Sequence, residues 1–345
     1  MGVAPLHPVP EPSTSALTQY LAGLRPLLDD PELTELCINR PGEAFVERAS
    51  GWIRMPLPFA TFEWCGQVAR LIAASTQQRV TSEQPLLSAS LPTGERVQIV
   101  LPPAASAGTV ALTIRKPSDR VLSLDVLAES GLFARCEIDE RPAASEEMLR
   151  DLYARREIKA FLRAAVRARK NILVSGPTGS GKTTLTKGLL LEIPPEERLI
   201  TLEDARELVL DRHPNSVRLF YSKDGQGQAA VTPKQLLEAC LRMRPDRILL
   251  AELRSDEAYY YLRNVNSGHP GSITSVHASS ARLAFEQLTL LVKESPAGRE
   301  MKREDIQSLL HQLIDVVVQC GVEKQRRFVK EIWYGGVDRN ARAHH

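Results

Sequence analysis

The chain has no long apolar run. Nowhere do its 345 residues approach the ~18 consecutive apolar residues of a membrane span, and residues 1–15 have neither the basic start nor the apolar core of a signal peptide. The expectation is a cytoplasmic protein. Aromatic residues make up 5% of the chain and the net charge is +2, so neither a stacking platform nor a cationic stripe announces nucleic-acid binding. Cys37, Cys65, Cys136, Cys240 and Cys320 are scattered without a Cys-x-x-Cys pair. That spacing excludes a thiolate zinc clamp and fits a reducing compartment.

At this length two domains are expected, because single domains usually hold ~100–150 residues. Pro5, Pro8, Pro10 and Pro12 make residues 1–15 an extended, disordered tail. Residues 16–132 read as a small mixed α+β domain. Phe62, Val68, Ala69, Ile72 and Ala73 form a helical stripe, while 97–101 and 110–114 alternate as half-buried strands. The pattern lapses over 133–147, which reads as a linker. From 148 to 340, strands at 172–174, 199–202, 248–250 and 272–276 alternate with helical stretches, the signature of a mostly parallel sheet covered by helices. Thr232-Pro233 reads as a helix start. The runs 316–318 and 328–333 read as two strands able to pair. The fold class is α/β.

Gly176-Pro177-Thr178-Gly179-Ser180-Gly181-Lys182-Thr183 is a complete phosphate loop, preceded by the apolar run 172–174 and followed by the helical run 185–190, and together with Thr184 it is the expected nucleotide-binding segment. Its glycines let backbone N–H groups close on phosphate, the helix adds its positive end, and Lys182 adds a point charge. Thr183 is then placed to hold Mg²⁺ through its hydroxyl.

Hydrolysis needs more than binding. Glu252 follows the apolar run 247–251, where a strand end opens onto the ligand crevice of a parallel sheet. It suits Mg²⁺ coordination through water, or orientation of the attacking water. Glu203 closes the run 199–202 and is the leading candidate for general base. His277 ends a third strand and suits a donor to the terminal phosphate or to Glu252, with His269 as a second candidate. Arg115, Arg206 and Arg254 are candidates to neutralise charge on the transferring phosphoryl group.

Together these residues resemble the secretion ATPase superfamily, the ring-shaped motors of type II and type IV secretion. The phosphate loop, the acidic boxes at 201–208 and 241–254, and the histidine box at 268–278 appear in the family's order. The run Gly268-His269-Pro270-Gly271-Ser272-Ile273-Thr274-Ser275-Val276-His277-Ala278, with Glu95-Arg96-Val97-Gln98-Ile99-Val100-Leu101-Pro102-Pro103, is similar to the traffic ATPases of type IV secretion systems. The resemblance implies a RecA-like P-loop domain, ATP and Mg²⁺ as ligands, and a homohexamer with ATP between the domains of each subunit. It also implies peripheral association with the cytoplasmic face of the inner membrane, beside other secretion ATPases and inner-membrane components. Arg115 matches the arginine of the family's first-domain strand, and Arg135 is a weaker match. Ala251 departs from the family's glycine before the glutamate. The function implied is an ATPase powering substrate transfer or pilus assembly; a nucleotide-gated structural ring or a DNA-translocating motor are the alternatives.

Overall fold

The computed structural model describes residues 12–117, 122–134, 144–222, 229–266 and 268–337. Arg135 and most of the expected linker lie outside them. The chain forms two compact units that are not sequential: Met1–Pro117, Arg198–Arg206 and Asn215–Pro245 make one, and Ser118–Glu197, Glu207–Pro214 and Asp246–His345 the other.

In the first unit, β1 (Glu35–Ile38), β2 (Gly42–Arg48), β3 (Gly51–Leu57), β4 (Leu86–Ser90), β5 (Arg96–Val100) and β6 (Ala111–Arg115) form one antiparallel sheet in the order β3-β2-β1-β6-β5-β4. The helix Phe62–Ser75 begins at Thr61, whose hydroxyl accepts from the Trp64 N–H, relieving one of the orphan donors of the first turn. Cys65, Val68, Ala69 and Ile72 are buried along it. Their spacing puts them on one face, which packs into a core with Leu36, Ile38, Ile99 and Ile114. Phe62 does not join that stripe: it is 39% exposed, because the first helical residue precedes the turn that meets the sheet. The first described helix, Pro12–Leu21, begins inside the stretch expected to be extended tail. Proline is tolerated there, since a first-turn N–H has no helical partner to lose.

β7 (Ile172–Ser175) belongs to the second unit, whereas β8 (Leu199–Glu203) and β9 (Ser216–Phe220) are a parallel pair in the first. There too Thr232 caps the helix Pro233–Cys240 in a reciprocal pair with Gln235. The second unit holds β10 (Arg247–Leu250), β11 (Ile273–Val276), β12 (Val316–Glu323) and β13 (Arg326–Tyr334). Its sheet runs β11-β7-β12-β13, with β7 parallel to both neighbours and β12 antiparallel to β13. All four residues of β7 are buried, as expected for a strand central in a parallel sheet and covered on both faces. The helices Lys182–Leu190, Glu257–Asn266, Ala281–Glu294 and Arg303–Leu313 accompany it.

Cys37, Cys65, Cys240 and Cys320 are free and buried. Among the described residues, no helix is long and apolar enough to cross a membrane.

Candidate functional site

In the second unit β7 runs into the phosphate loop and the loop into the helix Lys182–Leu190. The turn is built for glycine. A Cβ on Gly176 would lie 2.5 Å from Ser180 Oγ and 2.8 Å from the Cys320 carbonyl oxygen. Gly181, the residue before the helix, has φ 91°, a left-handed conformation costly to residues with a Cβ. Ser180 closes the turn by donating to the Pro177 carbonyl at 2.8 Å.

Lys182 is folded back against the loop, donating to the carbonyls of Gly176 at 2.8 Å and Pro177 at 3.3 Å. Its Nζ also lies 3.2 Å from His277 Nδ1. Burial lowers its pKa, and the nearby Glu252 carboxylate opposes that shift. The ammonium therefore sits where an anion would be welcome. Incoming phosphate oxygens can replace the two carbonyls as acceptors at no loss of hydrogen bonds.

Glu252 and His277 meet because the ends of β10 and β11 are stitched together. Ser272 Oγ donates to the Ile248 carbonyl, Ser275 Oγ to the Ala251 carbonyl at 3.0 Å, and the Leu253 N–H to the Ser275 carbonyl. Ala251, the departure from the family pattern, is buried within this seam. His277 Nε2 stands 2.7 Å from Glu252 Oε1, but off its N–H direction, so Oε1 is a buried acceptor without an aligned donor. Arg254 Nε donates to the other oxygen at 2.6 Å. Lys182, His277, Glu252 and Arg254 thus form one continuous polar group.

That group fits a Mg²⁺ ion arriving with a nucleotide. Glu252 has a carboxylate oxygen with unused acceptor capacity, and Thr183 presents a hydroxyl in the exposed first turn of the helix. Both are hard oxygen ligands. No cluster of three or more His, Cys, Asp or Glu able to hold a metal unaided occurs among the described residues. A Mg²⁺ ion there would take Thr183 and Glu252 from the protein and its other ligands from phosphate and water, the usual arrangement for this ion.

The remaining candidates lie in the first unit. Glu203, the last residue of β8, is fully buried. Its Oε1 accepts from Thr201 Oγ1 at 2.7 Å and Arg218 Nε at 3.0 Å, and its Oε2 accepts from Arg218 Nη2 at 2.9 Å. This is a two-pronged pair with a guanidinium from β9. The sequence reading missed Arg218, although the alternation of buried Val217 and Leu219 is a strand signal. Arg206 is exposed.

Arg115 ends β6 opposite Arg96 of β5 and Glu35 of β1. Its Nε is 3.4 Å from Glu35 Oε1. With Arg96 and Arg242 it lines an open cavity of about 400 Å³ whose wall includes Ser88. Three cations therefore line one cavity. Arg96 faces Arg115 across a strand pair, and Arg242 donates to Ser88 Oγ at 3.1 Å. Burial pushes the Glu35 carboxyl up to about 7, against the pull of Arg115. Of the two candidate histidines, His277 is the one in contact with Lys182 and Glu252; His269 is half-buried in the turn before β11.

Comparison with known proteins now bears on this geometry. Residues 19–333 match the family model described as type II/IV secretion system protein. The type IV secretion system protein VirB11 of Bartonella henselae is 46% identical over 342 residues, 95% of this chain and 96% of that protein. The protein VirB11 of Agrobacterium fabrum is 45% identical over 317 residues, covering 90% and 92%. The crystal structure of the VirB11 ATPase from the Brucella suis type IV secretion system, in complex with sulphate, superposes with a TM-score of 0.91 at 43% identity, covering 96% of this chain and 98% of that one.

Proposed function

We propose that this chain, which belongs to the type II/IV secretion system protein family, is the traffic ATPase of a type IV secretion apparatus and powers substrate transfer or pilus assembly through Mg²⁺-dependent ATP hydrolysis. The chain is an ATPase by its kinship with the VirB11 proteins. The homohexamer, the dependence on Mg²⁺, the association with the inner-membrane face and the docking on other apparatus components are the finer parts of the proposal. They are supported by its likeness over nearly the whole chain to the proteins named above.

The observation that carries the enzymatic reading is the continuous contact from Lys182 through His277 to Glu252 and Arg254. In the proposed reaction Lys182 leaves the loop carbonyls for the β- and γ-phosphates, and His277 follows the γ-phosphate while staying against Glu252. Arg254 offsets charge on the transferring group. Thr183 and Glu252 would hold the metal, which would supply neutralisation of phosphate charge. Glu203 is proposed to orient the attacking water, with Arg115 and Arg206 as further cations for phosphoryl charge.

Steady-state phosphate release by the parent and by Lys182→Ala tests the reading. The variant is expected to lose both nucleotide binding and hydrolysis, since the phosphate cradle loses its lysine. Parental turnover in Lys182→Ala defeats the assignment of the loop.

A further inference from the structure

The phosphate loop is bordered by a side chain that belongs to no nucleotide motif. β12 lies beside β7, and its register with β13 shifts between Gln319 and Cys320. Such a bulge increases local twist and re-aims the strand beyond it. The hairpin consequently leans on the loop at two places. The Cys320 carbonyl occupies the space a Cβ on Gly176 would need, and the Arg327 Cδ would be 3.1 Å from a Cβ on Gly181. Arg327 Nε donates to the Gly179 carbonyl at 3.1 Å. Arg327 also closes one side of the roughly 210 Å³ pocket formed by the loop itself, with Lys182, Thr183 and Thr184 on its other walls.

Arginine pairing is uneven among the described residues. Arg254 is paired with Glu252, and Arg218 with Glu203. Arg327 has no carboxylate partner and uses only Nε, leaving both Nη groups without a bond among the described residues. A guanidinium with an open fork, anchored by its Nε on the rim of a phosphate cradle, is prepared for an anion with two adjacent oxygens.

We propose that Arg327 is a nucleotide-binding residue whose free Nη groups hold the α- and β-phosphates of ATP and ADP. The inference rests on the reading of the loop as the ATP site and adds a residue to it. The position selects these phosphates, because the glycine backbone that Arg327 touches is the part of such a loop that cradles α and β, while the lysine reaches β and γ. Neither phosphate is transferred and both remain in ADP, so the contact is already made in the ground state, and only the β-phosphate, as leaving group, gains charge in the transition state. Its loss should fall on KM more than on kcat.

The test is a titration of the full-length protein with a fluorescent ADP analogue, for the parent, Arg327→Ala, Arg327→Gln and Lys182→Ala, with ATP turnover measured alongside. Arg327→Ala and Arg327→Gln should each weaken ADP binding roughly tenfold, the scale of one exposed charge-assisted contact, and raise the KM for ATP in the same ratio. The parent should also lose affinity with added salt more steeply than either variant. Parental affinity in Arg327→Gln, which keeps a donor for the Gly179 carbonyl but no charge, would overturn the proposal and leave Arg327 as a brace for the loop. So would unchanged affinity in Arg327→Ala. If Lys182→Ala also binds ADP as the parent does, the failure is that of the ATP site itself. Should Arg327→Ala not fold, Arg327→Gln alone decides the question.

Discussion

Glu203 and Glu252 begin from the same sequence setting, an acid at the end of a short apolar strand, and finish in different hydrogen-bonding environments. Glu203 is fully buried and gripped on both oxygens by Arg218. Glu252 keeps one oxygen without an aligned donor, with His277 beside it and Arg254 on the other oxygen. The neighbouring strand makes the difference: β9 supplies an arginine to the first, and β11 a histidine to the second. A carboxylate held by a two-pronged guanidinium is fixed in position. One with an open lone pair can take a metal ion.

The largest effect that would test this contrast is on stability. Arg218→Ala should destabilise the fold by about 3–5 kcal/mol, the cost of stranding a buried carboxylate, read as a lower denaturant midpoint. Arg254→Ala should cost less, because the Arg254 and Glu252 side chains are 37% and 12% exposed against 13% and 0% for Arg218 and Glu203, so water can replace more of what is lost. Equal losses in the two variants would break the comparison.

The next largest effect sharpens the chemical distinction. Glu203→Gln and Glu252→Gln should both keep ATP and lose turnover by about 10²–10³-fold, the range for a group acting on the transition state. They should differ in metal dependence. Only Glu252→Gln is expected to need more Mg²⁺ for its half-maximal rate, which a titration of rate against Mg²⁺ would reveal. A shift in both would make Glu203 a metal ligand rather than the base.

A somewhat smaller loss is expected at the arginine-lined cavity. Arg115→Ala should lower kcat by about 10²-fold, the scale of one preorganised donor, with a lesser effect on ATP affinity. Unchanged turnover would make Arg115 a wall of that cavity and nothing more.

The smallest effect concerns its partner Glu35. Burial raises the folded-state pKa of this carboxyl from an ordinary 4.5 to about 7, so the fold holds a proton that the unfolded chain has already released. The unfolded state then binds fewer protons across that window. Stability is fully present below pH ~4.5 and declines as pH rises toward about 7. Glu35→Gln should flatten the slope in unfolding curves recorded between those pH values.

Much of the second unit was legible in its residues. The phosphate loop, the runs that became β10 and β11, and the acid and histidine that close them were all marked in advance, because each is a local pattern: a glycine spacing, an apolar run, a terminal polar residue. The helical stripe from Val68 to Ala73 was equally local. Phe62 was misplaced for the complementary reason, since periodicity counts it as apolar without knowing where the helix first touches the sheet. Arg218, Arg96, Arg242 and Arg327 escaped notice because an arginine in sequence looks the same whether it is solvated or aimed at a carboxylate. Strand register decides that, and it joins residues such as Thr201 and Arg218 that the chain keeps apart.

By itself the sequence determined that a phosphate-binding turn would form and that acids and a histidine would cap the strands near it, because backbone geometry and hydrophobic periodicity act over a few residues. Only the tertiary structure decided which unit each segment joined and which arginine met each acid. It also set the contact that carries Lys182 through His277 to Glu252. Those outcomes depend on which strands lie side by side, and Coulomb interactions between buried groups are strong only at the few ångströms that such packing imposes.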